Sequence, residues 1–445
     1  MRRVSFCLLV ALSVGAPPAF AQEPATQPGS VPGTAATQSQ RFDLSLSEAF
    51  EQADLRNPEL IAARRNVELS RAEITIAGAI PNPQVAVQSG FGYVYSEQAN
   101  PSQVGINQLI ELGGKRNARL GLATSQVQLA QLQLDALRWS IRSQVRRAYA
   151  ELAAAEAQAR AVEQQVALVQ RLVDIARRRF EAGASPQAEL LQAQLSLSQT
   201  ETLRIQALGQ IQGARIQLAT LLGVTVPQGI DVRDKGLFDL SISKTELVPE
   251  PSAQLPPVDT LLERAYAQRL DLLAANQQIT VARERLNVAQ SLRTPDLQLS
   301  AGYLFTTLSN GQPQGSGAFF GVGVNAPVFY NFQGELARAQ VSIDQSNLQV
   351  SALRTQISAE VRTAYQSLLV SRENIRKYQT QLLPSSREVL SLAQESYQVG
   401  KTGLTSAIIA QQADQQIRSG YLNAVVAYQS AWADLERAVG GPLVL

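Results

Sequence analysis

The spacing of apolar positions changes several times along this chain, and each change marks an element. Over 45–80, Leu46, Ala49, Ala53, Leu60, Ala63, Val67 and Ile74 form one broad stripe at helical spacing, which predicts a helix. Pro81-Asn82-Pro83 ends it, because proline cannot continue a helix and turns its predecessor away from helical ψ. The period then becomes two. In 84–95, Val85, Val87, Phe91, Tyr93 and Tyr95 alternate with Gln84, Ala86, Gln88, Gly90 and Gly92. A weaker alternation covers 103–111, around Val104 and Ile106. Further on, 297–305 alternates Leu297, Leu299, Ala301, Tyr303 and Phe305 with Gln298, Ser300, Gly302 and Leu304. A fourth strand is predicted over 317–329, around Phe320, Val322, Val324, Ala326 and Val328. Loops rich in Asn, Pro and Gly join each pair of strands.

Between the strand pairs the period lengthens to seven. From Leu120 the row runs Val127, Leu134, Ile141, Ala148, Ala155, Val162, Val169 and Ala176. The second half repeats it with Val361, Leu368, Ile375, Leu382 and Val389. Heptads sustained this far predict coiled-coil packing. A helix over 115–182 would be on the order of 100 Å long.

The chain is written twice. NPELIAARR (57–65) falls on LDLLAANQQ (270–278), Pro83 on Pro295, and ARRRFEAG (176–183) on AQESYQVG (393–400). Repeat 1 spans 42–223, with helices at about 45–80, 115–182 and 187–222. Repeat 2 spans 258–441, with helices at about 258–293, 333–398 and 404–439. A connector over 224–257 and a tail over 442–445 complete the body.

Strands of 9–12 residues, apolar on one face, polar or small on the other, with aromatics gathered at their ends, have the signature of outer-membrane β-strands. Tyr93, Tyr95, Tyr303 and Phe305 read as membrane-interface aromatics. Four strands cannot close a barrel, and open strand edges in lipid leave backbone groups unpaired at several kcal/mol each. The chain must therefore oligomerise, with strands from several copies sealing one wall. An ordinary half-buried hairpin on a helical protein explains the strands alone. A coiled-coil rod explains the heptads but not the strands.

Composition narrows the function. The sequence has no histidine; Cys7 is its only cysteine and Met1 its only methionine. Histidine and cysteine catalysis and soft metal sites cannot be built from such a chain, and no catalytic residue, metal site or cofactor is predicted. Lys plus Arg total 39 and Asp plus Glu 37, and two of the arginines are Arg2 and Arg3. A body so nearly neutral is not a nucleic-acid binder. Met1–Arg3 is basic, Val4–Val14 apolar, and Ala19-Phe20-Ala21 offers small residues two apart, so 1–21 reads as a secretory signal. Cys7 lies within it, so no lipid anchor is expected. Residues 22–41 read as a flexible leader.

Gly183 and Gly400 fall where a long helix ends and a shorter one begins, suiting a left-handed cap. Ser185-Pro186 suggests an N-cap with proline at the first helical position. Arg177, Arg178 and Arg179 precede the first turn, where cations suit a helix C-terminus. Glu189 stands across it and could pair with them. Pro384 predicts a kink near Leu383 that repeat 1 lacks.

The duplicated architecture resembles the outer-membrane efflux proteins, the TolC-like exit ducts of tripartite export pumps. The matching segments are LSLSEAF and RNPEL near the start, RRFEAGASPQAELLQAQ and ESYQVGKTGLTSAIIAQQ at the two helical hairpins, and the terminal Leu222-Gly223 and Val439-Gly440-Gly441. ELGGKRNARL (111–120) is most similar to the heavy-metal, cobalt–zinc–cadmium branch. The resemblance implies a mainly helical chain with a small membrane β-sheet, assembled as a homotrimer with a 12-stranded β-barrel and a 12-helix α-barrel. It implies residence in the outer membrane, in contact with its lipid. It also implies docking of the tips (Gly183, Ala184, Ser185 and Pro186; Gly400, Lys401, Thr402 and Gly403) to a periplasmic adaptor and, through it, to an inner-membrane pump of the resistance-nodulation-division type. Drug efflux or type I protein secretion would use the same fold. Some relatives carry aspartates six and nine residues after the second tip glycine; here those positions are Ser406 and Ile409, and in repeat 1 they are Glu189 and Gln192.

Overall fold

The structure, a computed structural model, describes residues 42–89, 100–225, 230–233, 255–307 and 313–443, all within one unit, Arg41–Leu445. The signal and leader of 1–41, Tyr93, Tyr95 and most of the connector lie outside the described residues. In chain order the elements are β1 (Phe42–Leu44), α1 (Leu46–Arg56), α2 (Pro58–Ala77), β2 (Gln84–Ser89), β3 (Asn100–Ile110), α3 (Lys115–Glu181), α4 (Gln187–Leu222) and β4 (Ile230–Val232). There follow α5 (Val258–Gln268), α6 (Leu270–Ser291), β5 (Leu297–Thr307), β6 (Pro313–Val324), α7 (Gln333–Lys377), a π-helical turn (Tyr378–Leu382), α8 (Leu383–Gln398) and α9 (Leu404–Val439).

The helices make one layer, four across. α3 is flanked by α2 and α6 along one half and by α4 and α9 along the other; α7 packs on α6 and α9, and α8 on α9. The heptad row of α3 is buried over much of its length: Ile141, Ala148, Val162, Val169 and Ala176 are all 2% exposed or less, whereas Leu120, Val127, Leu134 and Ala155 are half-buried. Small residues in that row let neighbouring backbones approach closely. β1 pairs in parallel with β4 beside α1. The SLSE segment explains where α1 begins: the Ser45 hydroxyl accepts from the Glu48 amide at 3.3 Å, and the Glu48 carboxylate accepts from the Ser45 amide at 2.8 Å.

Five expectations change. The helix expected over 45–80 is two helices broken at Asn57, and that over 258–293 is two broken at Arg269. Asn57 turns extended, and its Oδ1 caps α2 by accepting from the Glu59 and Leu60 amides at 2.9 and 3.2 Å. The strand expected over 317–329 is instead Pro313–Val324, because Pro327 and the segment around it leave the ladder. α4 starts at Gln187 with Pro186 as its cap, so Ser185 is not the N-cap. The heptad row of repeat 2 does not continue through Leu382 and Val389. Ile375 is 3% exposed, but the next buried apolar residues are Leu383 and Tyr397, with Ser386 buried between them, while Val389 is 55% exposed. The π turn carries one extra residue per turn, with the Leu383 amide bonding back to the Tyr378 carbonyl, and it moves the row by one position. Pro384 follows at once; it has no amide to give a regular turn, and the wider loop makes room for its ring.

Candidate functional site: an open sheet, its junction and a helical tip

The second sheet runs β2-β3-β5-β6, antiparallel throughout, with β2 and β6 as unpaired edges. Its register sorts side chains by chemistry. Val85, Ile106, Ala301 and Phe320 stand opposite one another in one row, and Val87, Val104, Tyr303 and Ala318 in the next. Neighbouring rows on the other face hold Gln88, Gln103 and Leu304, then Ala86, Gly105, Gly302 and Phe319. Gln103 donates to Gln88 at 2.7 Å on that polar face. The apolar face is bare in the single chain: Val85, Val87, Phe320 and Val322 are 70–86% exposed. A sheet with one fully exposed apolar face and two open edges is unfinished in water. Phe319 lies over the paired glycines Gly105 and Gly302, where an added Cβ would run into its ring.

ELGGKRNARL builds the junction below the sheet. Gly113 and Gly114 both take left-handed conformations, with φ of 69° and 73°, and a side chain on Gly113 would overlap Thr294. This sharp turn brings Lys115, itself buried, 2.6 Å from Asp296, which also accepts from the Leu112 amide at 3.1 Å. Arg119 grips Glu111 with both terminal guanidinium nitrogens, and Arg116 donates to the Gly78 carbonyl at 2.7 Å. The Arg119 hydrogen bonds hold the Glu111 carboxyl below the usual carboxylate range, against the opposing effect of burial. The motif thus clamps strand, helix and the α6–β5 turn together.

At the far end, Gly183 and Gly400 are left-handed with φ of 70° and 75°. The Ala184 amide bonds to the Arg179 carbonyl at 2.8 Å, and the Lys401 amide to the Ser396 carbonyl at 2.9 Å. The three arginines part ways. Arg177 and Arg178 are exposed. Arg179 turns inward, donates to the Tyr397 carbonyl at 2.9 Å, and sets its guanidinium 5.1 Å from the centre of the Tyr397 ring. Tyr397 is fully buried, whereas Phe180, its counterpart in repeat 1, is 39% exposed. Burial pushes the Tyr397 hydroxyl up, and the charge of Glu189 adds to this. Among the described residues no ion pair joins Glu189 to the arginines, and buried atoms of Ser185, Glu189, Tyr397 and Thr402 have no hydrogen-bond partner. Lys401, Gly403, Ala184, Pro186, Ser406 and Ile409 are exposed.

Tyr303 and Phe305 lie on the apolar face, ring centres 5.0 Å apart, and Tyr303 is bonded to Ser316 at 2.9 Å. A further aromatic group was not foreseen. Phe329 is 104% exposed and Tyr330 50%, and Phe332 holds the left-handed backbone that starts α7. The V-F-Y-N-F run after a strand end was the available signal. Among the described residues no helix is long and apolar enough to cross a membrane, and no group of His, Cys, Asp and Glu is arranged to hold a metal ion.

Known proteins share this arrangement. The outer membrane efflux protein family matches twice, over residues 49–224 and 261–441. The cobalt-zinc-cadmium resistance protein CzcC of Cupriavidus metallidurans is 25% identical over 89% of this chain and 90% of its own length. The outer membrane protein TolC of Vibrio cholerae is 23% identical over the same shares. Among solved structures, CusC, described in terms of transmembrane channel formation, superposes with a TM-score of 0.72 at 18% identity, over 89% of this chain and 92% of that one.

Proposed function

The chain belongs to the outer membrane efflux protein family, and from that membership we propose that it is the exit duct of a tripartite efflux pump, a passive channel made of three copies. The observation that carries this reading is the four-stranded sheet with open edges at β2 and β6. Joining β6 of one copy to β2 of the next satisfies both edges, and three copies of four strands give a closed 12-stranded wall. Its apolar face meets lipid, with Tyr303, Phe305, Phe329 and Tyr330 at the interface. Its Gln, Ser, Asn and Gly face lines water. The four-across helix layer, repeated three times, continues the wall as a tube of 12 helices.

The tips carrying Gly183–Pro186 and Gly400–Gly403 dock to a periplasmic adaptor. Energy and selectivity come from an inner-membrane pump of the resistance-nodulation-division type. The contact of Arg179 with Tyr397, beside Glu189, holds the narrow end shut, and Pro384 with its π turn lets it bend. The cargo is heavy-metal cations, a reading supported by the likeness to a cobalt-zinc-cadmium resistance protein. The duct conveys them without soft ligands: the sequence has no histidine, and its one cysteine and one methionine, Cys7 and Met1, fall in the segment read as a signal.

Purification from outer membranes, mass measurement and planar-bilayer recording test the duct: trimers with stable conductance are expected, and monomers without conductance defeat it. Loss of cobalt, zinc or cadmium tolerance in a deletion strain tests the cargo. Unchanged metal tolerance with lost drug tolerance or protein secretion favours the TolC-like alternative. A periplasmic scaffold would predict no insertion at all.

A further inference from the structure

We propose that a cavity at the level of α1 binds a small oxyanion, a phosphate or carboxylate group, between α3, α9 and the C-terminal segment. The cavity holds about 220 Å³, and Phe50, Trp139, Arg142, Ser143, Arg146, Glu436 and Arg437 are in its lining. Trp139, Arg142, Ser143 and Arg146 follow the 0, 3, 4, 7 spacing of one helix face, so α3 presents a ring, a hydroxyl and two guanidiniums together.

Free donors and used-up acceptors argue for an anion. Trp139 Nε1, Arg142 Nε and Ser143 Oγ are buried and have no hydrogen-bond partner. Glu436 is the one carboxylate in the lining, and both its oxygens are taken: Oε2 by Arg146 at 2.6 Å and Oε1 by the Leu443 amide at 3.3 Å. A buried donor without an acceptor destabilises the fold, and a bound acceptor would relieve it.

Charge points the same way. Arg138 and Arg142 share Asp54 Oδ2 at 2.6 and 2.5 Å, Arg146 has Glu436, and Arg147 and Arg437 share Asp434, the latter at 3.7 Å. Three guanidiniums, Arg142, Arg146 and Arg437, thus line the cavity against the single carboxylate of Glu436. Arg437, 46% exposed and 3.7 Å from Asp434, has the reach to turn toward a ligand in the cavity it lines. Phe50 and Trp139 supply flat apolar walls for what the oxyanion is attached to, and Arg142 already sits over the Phe50 ring at 5.9 Å. Water could fill such a space but would not neutralise it.

The site needs no other copy of the chain, so its test does not depend on conduction. The chain has two tryptophans, Trp139 and Trp432. The purified full-length protein carrying Trp432→Phe, which leaves Trp139 as reporter, is titrated with sodium phosphate and with sodium citrate at constant ionic strength set by sodium chloride. Saturable fluorescence change with either oxyanion is expected, weakened about tenfold by Arg437→Gln. Arg376→Gln, on an exposed stretch of α7, should leave it unchanged. Gel filtration and circular dichroism confirm that each variant is folded, and equilibrium dialysis of radiolabelled phosphate or citrate measures binding in the protein with both tryptophans intact. Responses matched by chloride alone, or full binding by folded Arg437→Gln, would overturn the assignment.

Discussion

The side chain of Asn57 donates to the carbonyl of Leu221 at 2.9 Å, across 164 residues of sequence. Arg269 does the same in the second repeat, reaching the Ala438 carbonyl at 3.2 Å. Each bond ties a helix break to the last turn of the repeat's final helix, and each final helix ends on a left-handed glycine, Gly223 or Gly440. A side chain on Gly440 would press on the Arg269 backbone, as one on Gly223 would on Arg56. Asn57→Ala removes both a cap and this tie. It should lower stability by about 1–2 kcal/mol, read as a lower melting temperature of the trimer.

Gly302 tests the sheet. Any side chain there meets the Val104 carbonyl and the Gly105 Cα, backbone that cannot give way. Gly302→Val should therefore block pairing of β3 with β5 and sharply reduce folded trimer in the outer membrane. Phe319→Ala removes a ring from the polar face without disturbing the ladder. It should leave trimer yield intact and raise single-channel conductance.

Stability should fall at both ends of the pH scale for separate reasons. Burial works against the Asp54 carboxylate, but hydrogen bonds from Arg138 and Arg142 outweigh it and hold its pKa down; Glu360 and Asp271 are held down by Arg269 in the same manner. Groups with depressed pKa stabilise fully above about pH 4 and lose this as pH falls through their lower folded values. Asp54→Asn should melt earlier at pH 7, by on the order of a few degrees, and show a flatter acid limb.

At the alkaline end, burial pushes Tyr428 up to about 12. The unfolded phenol ionises near pH 10, so its contribution is whole below that and lost as pH climbs through the folded value. Tyr428→Phe should flatten the alkaline limb of the melting curve and leave the acid limb unchanged.

At the tip, Arg179→Gln removes a cation–π contact and a charge-assisted hydrogen bond, together about 1–3 kcal/mol. Conductance and open probability should rise. Arg177→Gln, on an exposed neighbour, should change neither. Equal effects of the two would assign the tip to general electrostatics.

Much of this was legible because two periods carry most of the fold. The alternation in 297–305 is what the register of β5 requires, and the α3 heptads name five of its buried residues, from Ile141 to Ala176. The misses have physical causes. Asn57-Pro58 is a cap followed by proline at the first helical position, yet apolar residues continue the stripe through it and hide the break. Arg269 carries no local signal: its break is held by Asp271, Glu360 and Ala438, two of them far away in sequence. Leu382 and Val389 keep the count of seven on paper, while one added residue in a turn rotates them off the packed face. The inward turn of Arg179, unlike Arg177 and Arg178, depends on a ring 218 residues distant.

The π turn at Tyr378–Leu382 occurs in only one of the two long rods of each chain. A ring of three chains then has six rods, three seamless and three jointed, in alternation. Toward the membrane the two kinds are near equivalents, and a view down the axis is close to hexagonal. Beyond the joint only triangular symmetry survives. Whatever grips that end meets two sorts of groove, three of each, so a sixfold collar of identical subunits would have to seat itself in two different poses.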